Sequence, residues 1–318
     1  MPASVSRRAS LVWFASMGAL WPALAPGADG ARPIAVIYPE IGEPFRSVFA
    51  HIIAGIEQQA RGRVASFAVG AHANAQELAV ELKRLEIRVV IALGRNGLKT
   101  ANALGRDVGL IVGGVLSVPE SGARGLTVHS LAPDPALLFG QLKDLLPGAR
   151  RVLVAYDARQ NAWLIRRARE AATSYGLEIV AEEAADLKSA IRFYQQSFAA
   201  ADARRDVLWL PQDSTTVDES AVLPLVLQEA WDRSVAVFSS SVAHVRRGAL
   251  FSLYPDNTAL GRSLAVSALS ALAPGAPVQQ GVLPLRDVLV AVNVRTANHL
   301  GISLAARRQQ FDLIFPEP

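Results

Sequence analysis

The sequence predicts an α/β protein of two similar lobes, each a parallel sheet flanked by helices, joined by a hinge of several crossing strands. Three observations predict it. Short apolar runs alternate with helical patterns along almost the whole chain, which is the signature of parallel sheets with right-handed crossovers. The alternation runs through two rounds of similar length. The chain has 318 residues, 51% hydrophobic and only 19% charged, enough for two domains with sheets covered on both faces.

The first round opens with the strand Ile34–Tyr38 (IAVIY) and the helix Phe45–Ala60, whose Val48, Phe49, Ile52, Ile53 and Ile56 recur at helical spacing. Strand Val64–Val69, helix Ala75–Leu85, strand Val89–Leu93, a short helix Gly97–Leu104, and strands Leu110–Leu116 and Leu126–His129 complete it. Helix Leu137–Leu146, stopped by Pro147-Gly148, leads into the second round. That round comprises strand Val152–Tyr156, helix Ala162–Tyr175, strand Leu177–Ala181, helix Leu187–Phe198, strand Val207–Leu210, helix Ser220–Trp231, and strands Val235–Phe238 and Leu250–Leu253. Helix Thr258–Leu272, strand Val288–Val292 and helix Thr296–Leu300 are too little for a third lobe. They are expected to complete the two sheets, so the chain must cross between lobes more than once. Ser130–Asp134, Ser252–Asp256 and Gly281–Arg286 are the expected crossings. The expected division is residues 29–131 plus 255–283 for the N-terminal lobe and 132–254 plus 284–318 for the C-terminal lobe.

Residues 1–28 read as an export signal. Arg7 and Arg8 precede the apolar run Leu11–Leu24, and small residues follow, with cleavage expected at Ala28. The apolar run is shorter than the ~20 residues a membrane span needs. A soluble periplasmic protein is expected, free of a lipid anchor because the chain has no cysteine. Disulfides, thiolate metal sites and thiol nucleophiles are excluded for the same reason.

The formal net charge is +4. Its arginines and lysines are scattered as singles and pairs, without a basic tail or interleaved aromatics, so nucleic acid is not an expected partner. The five histidines (His51, His72, His129, His244, His299) fall in no metal-binding spacing. The first strand is followed by Pro-Glu-Ile-Gly, not by a dinucleotide fingerprint, and no P-loop is present. Neither cofactor nor metal is expected, and no G-x-S-x-G elbow surrounds Ser239-Ser240-Ser241.

The segments IAVIYPEIGEPF (Ile34–Phe45), VVIALGRNGLKTA (Val89–Ala101), GQLKDLLPGARRVLVAYD (Gly140–Asp157), DVLWLPQDS (Asp206–Ser214) and GALFSLYPDNTALGRSLAVSAL (Gly248–Leu269) resemble ABC-transporter substrate-binding proteins. The family is of the type I periplasmic-binding fold, with two Rossmann-like lobes, and the group resembled includes aromatic amino-acid binders. The run VLPLRDVLVAVNVRTANHLGISL (Val282–Leu304) is the most specific, since the family ends on a similar N-x-x-T-A-x-x-L-G phrase. The chain departs from the family at Gly122–Val128 and at Tyr156-Asp157-Ala158, both near the expected cleft, so the ligand's identity does not carry over. The resemblance implies a monomeric, non-enzymatic receptor whose lobes close on a small ligand, amino-acid-like or a small organic acid, for delivery to an ABC permease. A sensory or interaction module of the same fold, docking on a receptor or redox partner without transport, is the alternative.

Ligands of open α/β sheets sit beyond the carboxyl ends of the strands, where helix N-termini present free N–H groups. The loops there hold the candidate contacts. Arg95 and Asn96 have two readings, partners of a ligand carboxylate or a simple turn with an exposed arginine, and Gly114 opens the next loop. Asp213 has two readings, partner of a ligand ammonium or cap of the following helix. Asp157, Ser214 and Ser240 offer polar groups, and Tyr38, Phe45, Tyr156 and Tyr254 offer rings at loop edges, two of the four being expected as plain packing and Tyr254 also reading as part of a crossing strand before a helix cap.

Overall fold

The computed structural model describes residues 33–316 apart from 71–72, 105–107, 117–122, 124, 274 and 276–278. The expected export segment 1–28, His72 and part of the Gly122–Val128 departure lie outside these residues.

The first sheet is built by β1 (Ile34–Pro39), β2 (Val64–Val69), β3 (Val89–Leu93), β4 (Gly109–Val115), β5 (Thr127–Pro133) and β11 (Gly281–Leu285). The second is built by β6 (Arg151–Tyr156), β7 (Glu178–Glu183), β8 (Asp206–Leu210), β9 (Ala236–Ser239), β10 (Phe251–Pro255), β12 (Val288–Asn293) and β13 (Leu313–Phe315). Their orders are β11-β5-β4-β3-β1-β2 and β13-β12-β10-β9-β8-β6-β7. The first five strands of each round therefore stand in the same order, second-first-third-fourth-fifth. Every described pairing is parallel except β10 with β12. The fold is two parallel-sheet lobes flanked by helices.

Period-2 alternation explains the unbroken apolar strands. On β1, Ile34 and Val36 face one core with Ile52 and Ile56 of α1 (Phe45–Gln59). Ala35 and Ile37 face the other, with Leu82 of α2 (Ala75–Arg84) and Ala101 of α3 (Gly94–Asn102). In the second lobe, Val152 and Val154 meet Phe139 of α4 (Pro135–Leu145) and Leu164 of α5 (Ala158–Ser174). Leu153 and Ala155 meet Phe193 of α6 (Leu187–Ala200) and Val226 of α7 (Val222–Arg233).

Helix α9 (Asn257–Leu272) follows β10 in sequence yet packs on the first sheet through Leu260 and Leu264. It touches α1 at glycines: a Cβ at Gly55 would lie 2.0 Å from Thr258 O, and one at Gly261 2.0 Å from Ile52 O.

The chain passes between the sheets after β5, after β10 and after β11. These passages are tied together. Asp134 N donates to Leu285 O at 2.8 Å, and Asp256 N donates to Asp287 O at 2.9 Å. Arg286 stands 3.9 Å from the Asp134 carboxylate.

Several elements depart from the sequence reading. Helix α3 starts at Gly94, because a φ of +69° there turns the chain straight out of β3. Helix α5 starts at Ala158 with Asp157 as its cap, where a loop to Asn161 was expected. The short helix α8 (Val242–Arg247) and strand β13 were not foreseen, each being too brief to show a period. The last helix, α10, spans Val294–His299.

Candidate functional site

A cleft of about 480 Å³ lies between the lobes, bordered by Arg95 and Leu116 from the first and by residues of three loops from the second. All its walls follow the carboxyl ends of strands: β3, β4, β6, β8 and β9. It opens where the strand order reverses on either side of β1–β3 and β6–β8, the place such sheets offer to ligands.

On the first wall, two glycines put Arg95 at the cleft. A Cβ on Gly94 would meet Phe49 Cζ at 3.1 Å, and one on Gly97 would meet Ile37 O at 2.8 Å, so α3 sits close against β1. Arg95 is exposed in the first turn of α3, with no hydrogen-bond or ion-pair partner among the described residues. Asn96 beside it is exposed and does not border the cleft. Gly114, at φ +66°, has Phe49 and the Gly94 amide 3.3 and 3.5 Å from where a Cβ would stand. Its place is that of a close backbone contact.

On the second wall, Asp213 and Asp157 are buried and join two loops. Asp213 Oδ2 accepts from Asp157 N at 2.7 Å and from Asn161 Nδ2 at 2.9 Å. Its Oδ1 accepts from Thr215 N at 3.0 Å and Thr216 N at 3.2 Å. With four protein donors on it, the carboxylate holds the turn at Thr215–Thr216 and tethers it to Asp157 and Asn161; it caps no helix, since α7 begins only at Val222. Asp157 caps α5 through Arg159 N and holds the Arg159 guanidinium at 2.7 Å. Thr215 Oγ1 adds a bond to it at 3.0 Å. The hydrogen bonds from Arg159 hold the Asp157 carboxyl down at about 2, against the opposing pull of burial.

Besides Asp213, the polar side chains bordering the cleft from this wall are Gln160, Gln212, Ser214, Asp218, Glu219, Ser241 and His244. Gln212 Nε2 donates to Ser240 O at 2.6 Å, while its Oε1 is buried with no donor among the described residues. His244 Nδ1 lies 2.8 Å from Ser239 Oγ, which donates to Leu210 O at 3.1 Å. The serine proton being so used, Nδ1 carries the imidazole proton and Nε2 is left as an acceptor. Burial lowers the His244 pKa, opposed by the Glu219 carboxylate and assisted by Arg247.

Five other expected contacts stand elsewhere. Tyr38 borders a separate hollow beside α1 with Phe49 and Ile53. Phe45 is 61% exposed at the start of α1. Tyr156 packs against one core of the second lobe and Tyr254 against the other. Ser240 is buried, its Oγ accepting from Trp209 Nε1 at 3.2 Å. The structure thus brings Arg95, Asp213 and Ser214 together at the cleft, with Asp157 just behind. The sequence reading missed Gln160, Asp218, Glu219 and His244 as contacts. Gln160 was legible as part of the loop after β6, whereas His244 depends on a helix of six residues.

Among the described residues no group of three or more His, Asp or Glu side chains could hold a metal ion. No helix among them is long and apolar enough to cross a membrane.

Several solved structures share the fold. A ligand-free, open substrate-binding protein with adhesive properties from Clostridium difficile superposes with a TM-score of 0.62 at 16% identity, covering 89% of this chain and 98% of that one. An ABC domain in complex with L-Trp from Streptococcus pneumonia gives 0.53 at 14% identity over 88% and 99%. A conserved domain protein from Vibrio cholerae gives 0.52 at 16% over 89% and 99%. No curated protein sequence matches the chain. The sequence model described as "ABC transporter substrate binding protein" matches residues 138–307, more than half of the chain, and the chain belongs to that family.

Proposed function

We propose that the protein is an extracytoplasmic receptor that captures a small amino-acid-like solute or organic acid between its lobes and hands it to an inner-membrane ABC permease. The observation that carries this reading is Arg95, without a partner among the described residues, on the first wall of the cleft, and the Glu219 carboxylate on the second. A guanidinium fork suits a carboxylate, and a carboxylate suits an ammonium, so a zwitterion would bridge the walls. Only a ligand touching both walls gains by closure.

The reading includes the division into lobes at 29–131 plus 255–283 and 132–254 plus 284–318, export through residues 1–28, and a working monomer without catalytic activity. The L-Trp complex of the streptococcal protein makes aromatic amino acids the first to try. A thermal-shift screen of the mature protein against amino acids and small carboxylic acids tests it, with calorimetry on each hit. A melting temperature raised by at least one such compound is expected. A flat screen would sink the solute-receptor reading and favour a module that docks on another protein.

A further inference from the structure

The imidazole of His244 stands on the second wall of the cleft with one nitrogen engaged by the protein and the other open. Its helix, α8, is fixed in the lobe: Asn293 Nδ2 donates to Val245 O and Thr296 Oγ1 to Gly248 O, both at 2.8 Å. Ser239 Oγ accounts for the engaged nitrogen. Around it lie His244 Nδ1 at 2.8 Å, the Ser241 amide at 3.0 Å and Leu210 O at 3.1 Å. A hydroxyl has two lone pairs and one proton. Accepting from Nδ1–H and from Ser241 N–H while donating to Leu210 O uses all three. The neutral ring is left with a bare lone pair on Nε2.

His244 is only 4% exposed, and a polar atom in such a place calls for a partner. Nε2 has none among the described residues, yet it is not one of the unpaired atoms sealed in the interior. It opens on the cleft that His244 borders. The charges around the ring come from few places. The Glu219 carboxylate favours its charged form, Arg247 on its own helix opposes it, and burial, the largest influence, lowers its pKa from 6.5. Arg247 Nη1 is turned to the main-chain oxygen of Glu219 at 2.8 Å, which leaves the Glu219 carboxylate without a partner among the described residues. Asp213 and Asp218 border the same cleft, and Arg95 stands across it. Arg246, also on α8, lies over the Phe315 ring. Strands β9, β10 and β12 pack on α8 and bring no acid or base except Tyr254. At neutral pH the ring is therefore uncharged and an acceptor.

We propose that His244 Nε2, with the Glu219 carboxylate, reads the amino group of the captured solute, so that the cleft selects amine-bearing acids over plain carboxylic acids and holds them less well in acid. This rests on the cleft being a solute site, and it narrows the solute to one class. An ammonium carries three N–H donors, and an imidazole lone pair and a carboxylate take two of them. A plain carboxylic acid leaves both acceptors unpaired and brings a like charge towards Glu219, which is discrimination by penalty as well as by attraction. Protonation turns Nε2 from acceptor into donor and sets a cation against the ammonium. A bound ammonium lowers the His244 pKa further, because it disfavours the charged ring. Affinity should accordingly be level above pH 6.5 and fall below it, by at most about tenfold per pH unit for a single proton.

The test sets each proteinogenic amino acid beside its desamino acid (propionate for alanine, 3-phenylpropionate for phenylalanine) on the mature chain, by thermal shift and then by calorimetry from about pH 7.5 down to about pH 5. At least one amino acid should bind, at least about tenfold more tightly than its desamino acid, with affinity falling in acid. His244→Phe keeps a ring but removes the acceptor, and should weaken the amino acid by about tenfold at neutral pH. His244→Gln places an amide oxygen near Nε2 that does not titrate, and should keep most of the affinity while flattening the pH profile. Should both variants misfold, nitrogen-15 NMR of the wild-type histidines decides. It should show the Nδ1–H tautomer at His244 and an Nε2 signal that moves when the amino acid is added. A desamino acid that binds as tightly as its amino acid overturns the assignment. So does an unchanged pH profile in His244→Gln, an Nε2–H tautomer, or an Nε2 signal that the ligand leaves in place. In each of these cases a solute still binds and the receptor reading stands, whereas a panel in which nothing binds removes both.

Discussion

Asp213 and Asp157 are two acids held in one network: the backbone N–H of Asp157 donates to Asp213 Oδ2 at 2.7 Å. This bond ties the loop after β8 to the start of α5, and so fixes the second wall of the cleft before any ligand arrives. Two buried carboxylates so close together are tolerable because each has its own donors, Arg159 and Thr215 for Asp157 and three further N–H groups for Asp213. Asp213→Ala leaves four donors without their acceptor. It is expected to cost about 3 kcal/mol of stability, whereas the exposed Ser214→Ala should stay within about 0.5 kcal/mol. Urea unfolding of the two variants measures the contrast, and equal midpoints would remove the tether role.

The two-lobed architecture was legible because both sheets are covered on both faces. Runs such as Val89–Leu93 and Asp206–Leu210 are buried throughout and carry no alternation that could be misread. The crossings were legible as extended, proline-bearing stretches. The cleft was less so. Tyr156 and Tyr254 stand next to expected ligand loops, yet half-buried aromatic rings gain as much from a core as from a ligand, and the sequence does not show which way a strand-end ring turns. Asp213 had two readings by position alone, and its bonds to Asp157 and Asn161, which make it a tether between loops, exist only in three dimensions. His244 needs the Ser239 hydroxyl to orient it, a pairing created by a helix too short to predict.

Arg95→Ala separates binding from folding. The side chain is exposed and has no partner among the described residues, so the unfolding midpoint should move by less than about 0.5 kcal/mol. Loss of a charge-assisted bond to a carboxylate ligand should weaken affinity by about 1.5–3 kcal/mol, read by calorimetry with a hit from the solute screen. Unchanged affinity would make Arg95 a plain surface charge.

Acid should loosen the start of α5. The folded carboxyl of Asp157 is held at about 2, below its ordinary 3.8, first by the hydrogen bonds from Arg159. A lowered value favours the charged, folded form, so this stabilisation is complete above the unfolded value and disappears as pH falls through 3.8 towards 2. It amounts to about 2 kcal/mol at low ionic strength, and less in salt because the Arg159 side chain is 74% exposed. Arg159→Ala should therefore lower the denaturation midpoint at pH 6 and make little difference at pH 2. A constant gap between the two proteins across that range would contradict the assignment.

The approach of α1 to α9 depends on glycine. Ala at position 261 would put its methyl 2.0 Å from Ile52 O, a backbone atom that cannot swing aside. The helices would have to part, opening the core formed by Ile52, Ile56, Leu260 and Leu264. Gly261→Ala is expected to destabilise the protein by about 3 kcal/mol, the upper end of overpacking costs. Gly125→Ala supplies a comparison, since no atom lies within 4 Å of its Cβ position although its φ of +76° brings some backbone strain. Similar unfolding midpoints for the two variants would mean that the helices adjust freely.

Ligand capture should close the lobes. Arg95 stands on one wall and Gln160, Gln212 and Glu219 on the other, so a solute that reaches both favours the closed arrangement by its differential affinity. Bending is expected at the three passages, Pro133–Asp134, Pro255–Asp256 and Leu285–Asp287. The Asp134–Leu285 and Asp256–Asp287 backbone bonds join them, so they should move as a unit rather than as separate linkers. Solution scattering should show a smaller radius of gyration with the ligand bound. Hydrogen exchange should slow in the first turn of α3 and in the loop after β8 together. A tight ligand that protects one wall only and leaves the scattering curve unchanged would rule out closure as the mechanism of capture.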